Sequence, residues 1–183
     1  MAGDTQEVLH VEALPGYPPE IGRWLWALQD VRKEVLKSVQ GLSAEELDTV
    51  PPGADNTIGA LLYHIALVEA SWLYEDTLER ASLPREIDAL FPLDSRDEQR
   101  RLSALRGTSL EDYLARLQQV RSALLEEFKS ITLEDFRRLR HIPGQYDVTP
   151  EWALYHLIQH EAEHGGHIQT LRTLLNSQVK DGK

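Results

Sequence analysis

Apolar residues along this chain recur at spacings of three and four over four long stretches, and none alternates convincingly with period two. The pattern predicts an all-α protein without a sheet. Ile21, Trp24, Leu25, Leu28, Val31, Val35 and Val39 line a first helix, opened by Pro18-Pro19 and ended by Gly41. Proline costs nothing there, because the first helical amides lack intrahelical partners. A second long helix starts near Asn56-Thr57 and runs to about Ser82, with Ile58, Leu61, Leu62, Ile65, Val68 and Trp72 as its stripe. Thr108-Ser-Leu-Glu111 caps a third, which turns Leu110, Tyr113, Leu114, Leu117, Val120, Leu124 and Phe128 inward. Thr149 caps a fourth, with Pro150 in its first position, continuing to about Asn176.

Shorter elements join these. Ser43-Ala-Glu-Glu46 and Thr132-Leu-Glu-Asp135 each begin a helix of one or two turns, the former as a capping box. Residues 84–108 form a long middle connection with Pro84, Pro92 and Gly107. The capping-box spacing Ser95-Arg-Asp-Glu98 predicts a short helix within it. Residues 1–17 read as an irregular arm, and Pro143-Gly144 as a turn. The halves echo each other: Leu42-Ser-Ala-Glu-Glu-Leu47 and Leu62-Tyr-His64-Ile65 resemble Ile131-Thr-Leu-Glu-Asp-Phe136 and Leu154-Tyr-His156-Leu157. Four long helices with one long middle connection make a four-helix bundle, expected as one domain over residues 1–183.

Histidines change the picture from fold to chemistry. His156, His160, His164 and His167 fall within an arc of roughly 80° on the last helix, at about 100° per residue. With 7 histidines in 183 residues, roughly 0.3 HxxxH pairs arise by chance, yet here two overlap through His160. A buried neutral imidazole needs partners for both a donor and an acceptor, and a metal ion satisfies several rings at once. A row of partly exposed polar histidines is the alternative. The best geometric trio is His160 and His164, one turn apart, with His64 from the facing helix. His156 lies a turn too far back to share the ion comfortably. It and His167 are candidates for supporting or substrate-facing roles, whereas His10 and His141 fall in predicted loops. Gly165-Gly166 reads as a place of close helix approach.

Composition narrows the function further. The chain has no cysteine, which excludes disulfides, iron–sulfur clusters and a cysteine nucleophile. A net charge of −11 argues against a nucleic-acid partner. The arginine clusters between Arg96 and Arg106 and at Arg137-Arg138-Leu139-Arg140 read as solvated faces. The start of the chain shows no secretory signal, and the longest apolar stretch, Ile58 to Val68, is too short to cross a bilayer. A cytoplasmic protein without a membrane partner is expected.

Leu61-Leu-Tyr-His64-Ile-Ala-Leu-Val-Glu69 and His160-Glu-Ala-Glu-His164-Gly-Gly-His-Ile168, together with Leu42-Ser-Ala-Glu-Glu-Leu47, resemble the DinB/YfiT-like superfamily of metal-dependent four-helix bundles. The resemblance covers nearly the whole chain. It implies that His64, His160 and His164 bind a divalent metal ion. Gly165-Gly166-His167 departs from the Arg-Gly-Gln that often follows the last ligand in that family. The superfamily includes transferases that use low-molecular-weight thiols such as bacillithiol or mycothiol. A metal-assisted thiol transferase is therefore expected, with a metal-dependent hydrolase or a non-catalytic metal-binding stress-response protein as alternatives. Three imidazoles leave an open coordination position and suit zinc or nickel. Family members are often dimers, and Trp24, Trp26 and Trp72 supply aromatic surface for a homodimer.

Overall fold

The computed structural model describes residues 8–181. Four long helices form the frame: α1 (Pro19–Val39), α3 (Ile58–Ser71), α5 (Leu110–Phe128) and α7 (Pro150–Asp181). Short helices α2 (Ala44–Asp48), α4 (Arg85–Asp88) and α6 (Leu133–Arg137) lie in the connections. Helix α1 packs along α7, α7 along α3, and α3 along α5. The expected helical bundle is present, and its starts follow the local chemistry. Ser43 and Glu46 close a full capping box on α2, and Thr57 accepts from the Ala60 amide at the head of α3. The cap of α5 is Ser109, one residue beyond the expected start.

Four features differ from the sequence expectation. Helix α3 stops at Ser71 and widens into a π-helical turn over Trp72–Thr77, where the Leu78 amide donates five residues back to the Leu73 carbonyl at 3.0 Å. No helix begins at Ser95. The Ser95 hydroxyl turns to His64 instead, the Asp97 carboxylate accepts from the Arg101 amide, and Arg96 bridges Leu102. The short helix of that connection is α4, opened by Pro84. A small antiparallel hairpin pairs β1 (Arg140–Ile142) with β2 (Tyr146–Val148) around the Pro143-Gly144 turn, in the register Arg140↔Val148. Three-residue strands are too short to show an alternating pattern, which is why the sequence predicted no sheet. Finally, Arg140 is not on a solvated face. It is 2% exposed and ties the Thr77 carbonyl to the Asp135 carboxylate, joining the π-helical turn to α6.

The core falls into two layers. One gathers Val39, Leu62, Tyr63, Tyr113, Leu117 and Ile168, the other Leu25, Leu28, Leu73, Phe128, Phe136 and Leu154. Helix α3 is buried on nearly every side from Ile58 to Ala66, so it is the central element rather than an amphipathic one. Gly165 is buried, and a methyl group there would stand 3.2 Å from Val35 Cγ2 on α1, the close approach that its sequence implied. Gly166 has open space around it, so close packing does not account for the second glycine.

Candidate functional site

On every long helix one charged residue stands where the two core layers meet: Arg32 on α1, Glu69 on α3, Arg121 on α5 and Glu161 on α7. All four are buried. Arg121 donates to Glu69 Oε1 at 2.6 Å and to Glu161 Oε2 at 2.8 Å. Arg32 donates to Glu69 Oε2 at 2.7 Å and also to Glu161. Remaining guanidinium protons reach the Leu28 and Leu117 carbonyls. Two positive and two negative charges thus balance inside the bundle, with their hydrogen bonds filled. Burial by itself would raise Glu69, but the Arg121 and Arg32 charges outweigh it and hold its carboxyl below the ordinary range. Sequence reasoning missed this network, although a signal existed. Each of the four stands at helical spacing on its apolar stripe, such as Arg32 between Leu28 and Val35.

The network braces the two helices that carry the histidines. Glu161 follows His160 directly on α7, and Glu69 lies five residues beyond His64 on α3. His64 is buried, while His160 and His164 are half-buried. Their Nε2 atoms converge: His160 lies 3.1 Å from His64 and 3.1 Å from His164, and one ligand atom from each ring falls within 4.8 Å of the others. Burial pushes His64 down to about 4 and His160 down to about 3, and neighbouring imidazoles push both in the same direction. Burial and His167 likewise lower His164. The rings are therefore neutral near pH 7, with electron pairs available.

The outer nitrogens have partners of their own. His64 Nδ1 lies 3.2 Å from Ser95 Oγ, so a proton on Nδ1 leaves Nε2 as the bare, inward-facing atom. His164 Nδ1 lies 3.4 Å from His167 Nδ1, which puts His167 against the back of the cluster. His156 stays outside it. Its ring stacks on Trp152 with centroids 5.2 Å apart and meets Trp72 at 4.6 Å. His10 hydrogen-bonds Glu12 on an exposed segment, and His141 pairs with Asp147 across the hairpin. Of the tryptophans expected to supply a dimer face, Trp24 packs partly buried against the core and donates to Glu151, while Trp26 lies under Lys33.

Residues 25–177 match the mycothiol-S-transferase family. The chain belongs to that family. No functionally curated protein matches it. Among solved structures, a conserved protein from Enterococcus faecalis superposes with a TM-score of 0.68 at 15% identity, over 84% of this chain and 95% of the other. YfiT from Bacillus subtilis, described as a probable metal-dependent hydrolase with an unusual four-helix bundle topology, gives a TM-score of 0.60 at 20% identity, over 84% and 86%. These similarities bear out the DinB/YfiT-like bundle. No helix among the described residues of this mycothiol-S-transferase family member is long and apolar enough to cross a membrane.

Proposed function

We propose that this protein is a divalent-metal-dependent S-transferase that joins a low-molecular-weight thiol to an electrophilic small molecule. The observation that carries the reading is the convergence of three neutral imidazole Nε2 atoms from α3 and α7. Bonds of about 2.0–2.1 Å in a tetrahedral zinc site separate ligand nitrogens by about 3.3 Å, close to the 3.1 Å that His160 Nε2 keeps from both His64 and His164. His64, His160 and His164 would hold the ion, and their nitrogen donor set suits zinc and nickel. Bound there, it supplies Lewis acidity that favours the ionised form of a thiol at neutral pH.

The other residues position and exclude. Ser95 and His167 fix the orientation of His64 and His164, as outer partners of metal-binding histidines commonly do. The Arg32–Glu69–Arg121–Glu161 network locks α3 against α7 so that the rings are preorganised. With no cysteine in the chain, the reacting sulfur comes from the cosubstrate. The family name supports mycothiol as that thiol. In the transfer, sulfur bonds to the electrophilic carbon, the leaving group departs with its electron pair, and the thiol proton passes to solvent.

A hydrolytic reading has one supporting observation, the description given to YfiT. In that case water takes the place of the thiol at the same three histidines. Monochlorobimane conjugation with mycothiol, bacillithiol and glutathione, run beside hydrolysis of p-nitrophenyl acetate and each with and without added zinc or nickel, separates the two. Metal-dependent, thiol-selective conjugation lost in His160→Ala/His164→Ala is the expected result. Metal bound without turnover of any thiol or ester would leave a non-catalytic metal-binding protein.

A further inference from the structure

Beside the three histidines the surface is built of rings. Trp72 and Tyr146 stack with centroids 5.7 Å apart and planes 7° apart. Trp152 and His156 stack at 5.2 Å and 6°. Trp72 meets Trp152 at 5.4 Å, and His156 stands 5.8 Å from His160. Three separate segments contribute to this wall: the π-helical turn, the hairpin and the first turns of α7. It runs without a break from His160 to a cleft of about 400 Å³, where Trp72, Tyr146 and Trp152 are joined by Leu139 and Val148.

Three of the polar side chains along this cleft are already engaged. The Tyr146 hydroxyl donates to Asp76 at 2.9 Å, Thr149 Oγ1 accepts from the Trp152 amide, and His141 occupies the Asp147 carboxylate. What faces the cleft is mainly ring and aliphatic surface. Such a lining selects by stacking and apolar burial rather than by hydrogen bonding. Trp152 remains 46% exposed and Leu139 59% exposed, so the apolar surface is open on its outer side.

We infer that this cleft seats the electrophile and that the electrophile is a planar, apolar aromatic or conjugated molecule. The inference rests on the S-transferase reading. Stacked against Trp152 and Tyr146, such a molecule points its far edge along His156 towards His160. For a chloroarene, the new sulfur–carbon bond replaces the carbon–chlorine bond, chloride leaves with the electron pair, and the thiol proton goes to solvent.

The test uses an unreactive probe, 1,3-dinitrobenzene, titrated calorimetrically into the full chain as purified. Trp152→Ala and Leu139→Glu are expected to weaken its Kd by at least about tenfold, the usual scale of losing a stacking or apolar contact at a pocket. Trp26→Ala, on α1 under Lys33, serves as the control and leaves the Kd unchanged. The probe has no leaving group and reports binding alone, so intact binding together with no conjugation of monochlorobimane to any thiol would sink the transferase reading alone. Equal Kd values across all four proteins, or no binding to the wild type, would overturn the subsite. So would light scattering that shows a wild-type dimer split by Leu139→Glu, because a second copy would then cover the cleft. If circular dichroism shows Trp152→Ala to be unfolded, Leu139→Glu carries the result from its exposed position.

Discussion

Asp76 and Gly166 show what single residues contribute. Burial pushes the Asp76 carboxyl up from its ordinary value of 3.8, against the opposing Tyr146 hydrogen bond, with Glu75 adding to the rise. A raised folded pKa means that the neutral form is favoured by folding. Its stabilisation is complete below the unfolded value and is lost as pH rises through the folded one. Asp76→Asn, which cannot ionise, should therefore melt higher than wild type at pH 7. That difference should vanish below pH 3.8, as thermal melts by circular dichroism across the range would reveal. Gly166 has nothing near its missing side chain and lies within α7. Replacing it with alanine should add about 1 kcal/mol in urea unfolding, the helix propensity that glycine forfeits. No such gain is expected at Gly165, where the new methyl meets Val35.

Helices are joined here by charge as well as by apolar packing. Arg121 touches both Glu69 and Glu161, and with Arg32 it links all four long helices through one buried layer. Arg121→Met leaves that layer with an uncompensated negative charge, at a cost of about 3–5 kcal/mol. Denaturant unfolding at pH 7 measures it, and an unchanged midpoint would show that the layer contributes nothing. The sign for Glu69 is opposite to that for Asp76. Its carboxyl is held low, so its contribution is full above the ordinary carboxylate range and fades as pH falls through the depressed value. Helix starts were largely legible at this scale, because caps such as Ser43, Thr57 and Thr132 act within their own segments. The predicted helix at Ser95 fails because its hydroxyl is drawn to His64, a contact across 31 residues.

For the molecule as a whole, the three histidines join α3 to α7, so an ion held by them would bind the folded chain and not the unfolded one. Ligand linkage then stabilises the fold by about 2.7 kcal/mol at a hundredfold excess over Kd. Chelation should lower the melting temperature of untagged wild type and leave that of His160→Ala/His164→Ala unaffected. Elemental analysis of the same two proteins should find metal in the first alone. A melting temperature indifferent to chelator in the wild type, with no metal by elemental analysis, would remove the proposed centre. The net charge of −11 does not enter that centre directly, since its ligands are neutral rings and the nearby carboxylates of Glu69 and Glu161 are balanced by arginine.

Local order was written in the sequence: helical periodicity, caps and the single face that carries His156, His160, His164 and His167 depend on residues a turn or two apart. The tertiary structure alone decided which rings meet. His64 lies 96 residues before His160, and only helix packing sets the distance between them. The same holds for the buried arginine–glutamate layer, the π-helical turn anchored by Arg140 and the aromatic wall. Each needs partners from segments far apart in the chain, and a one-dimensional pattern does not specify their approach.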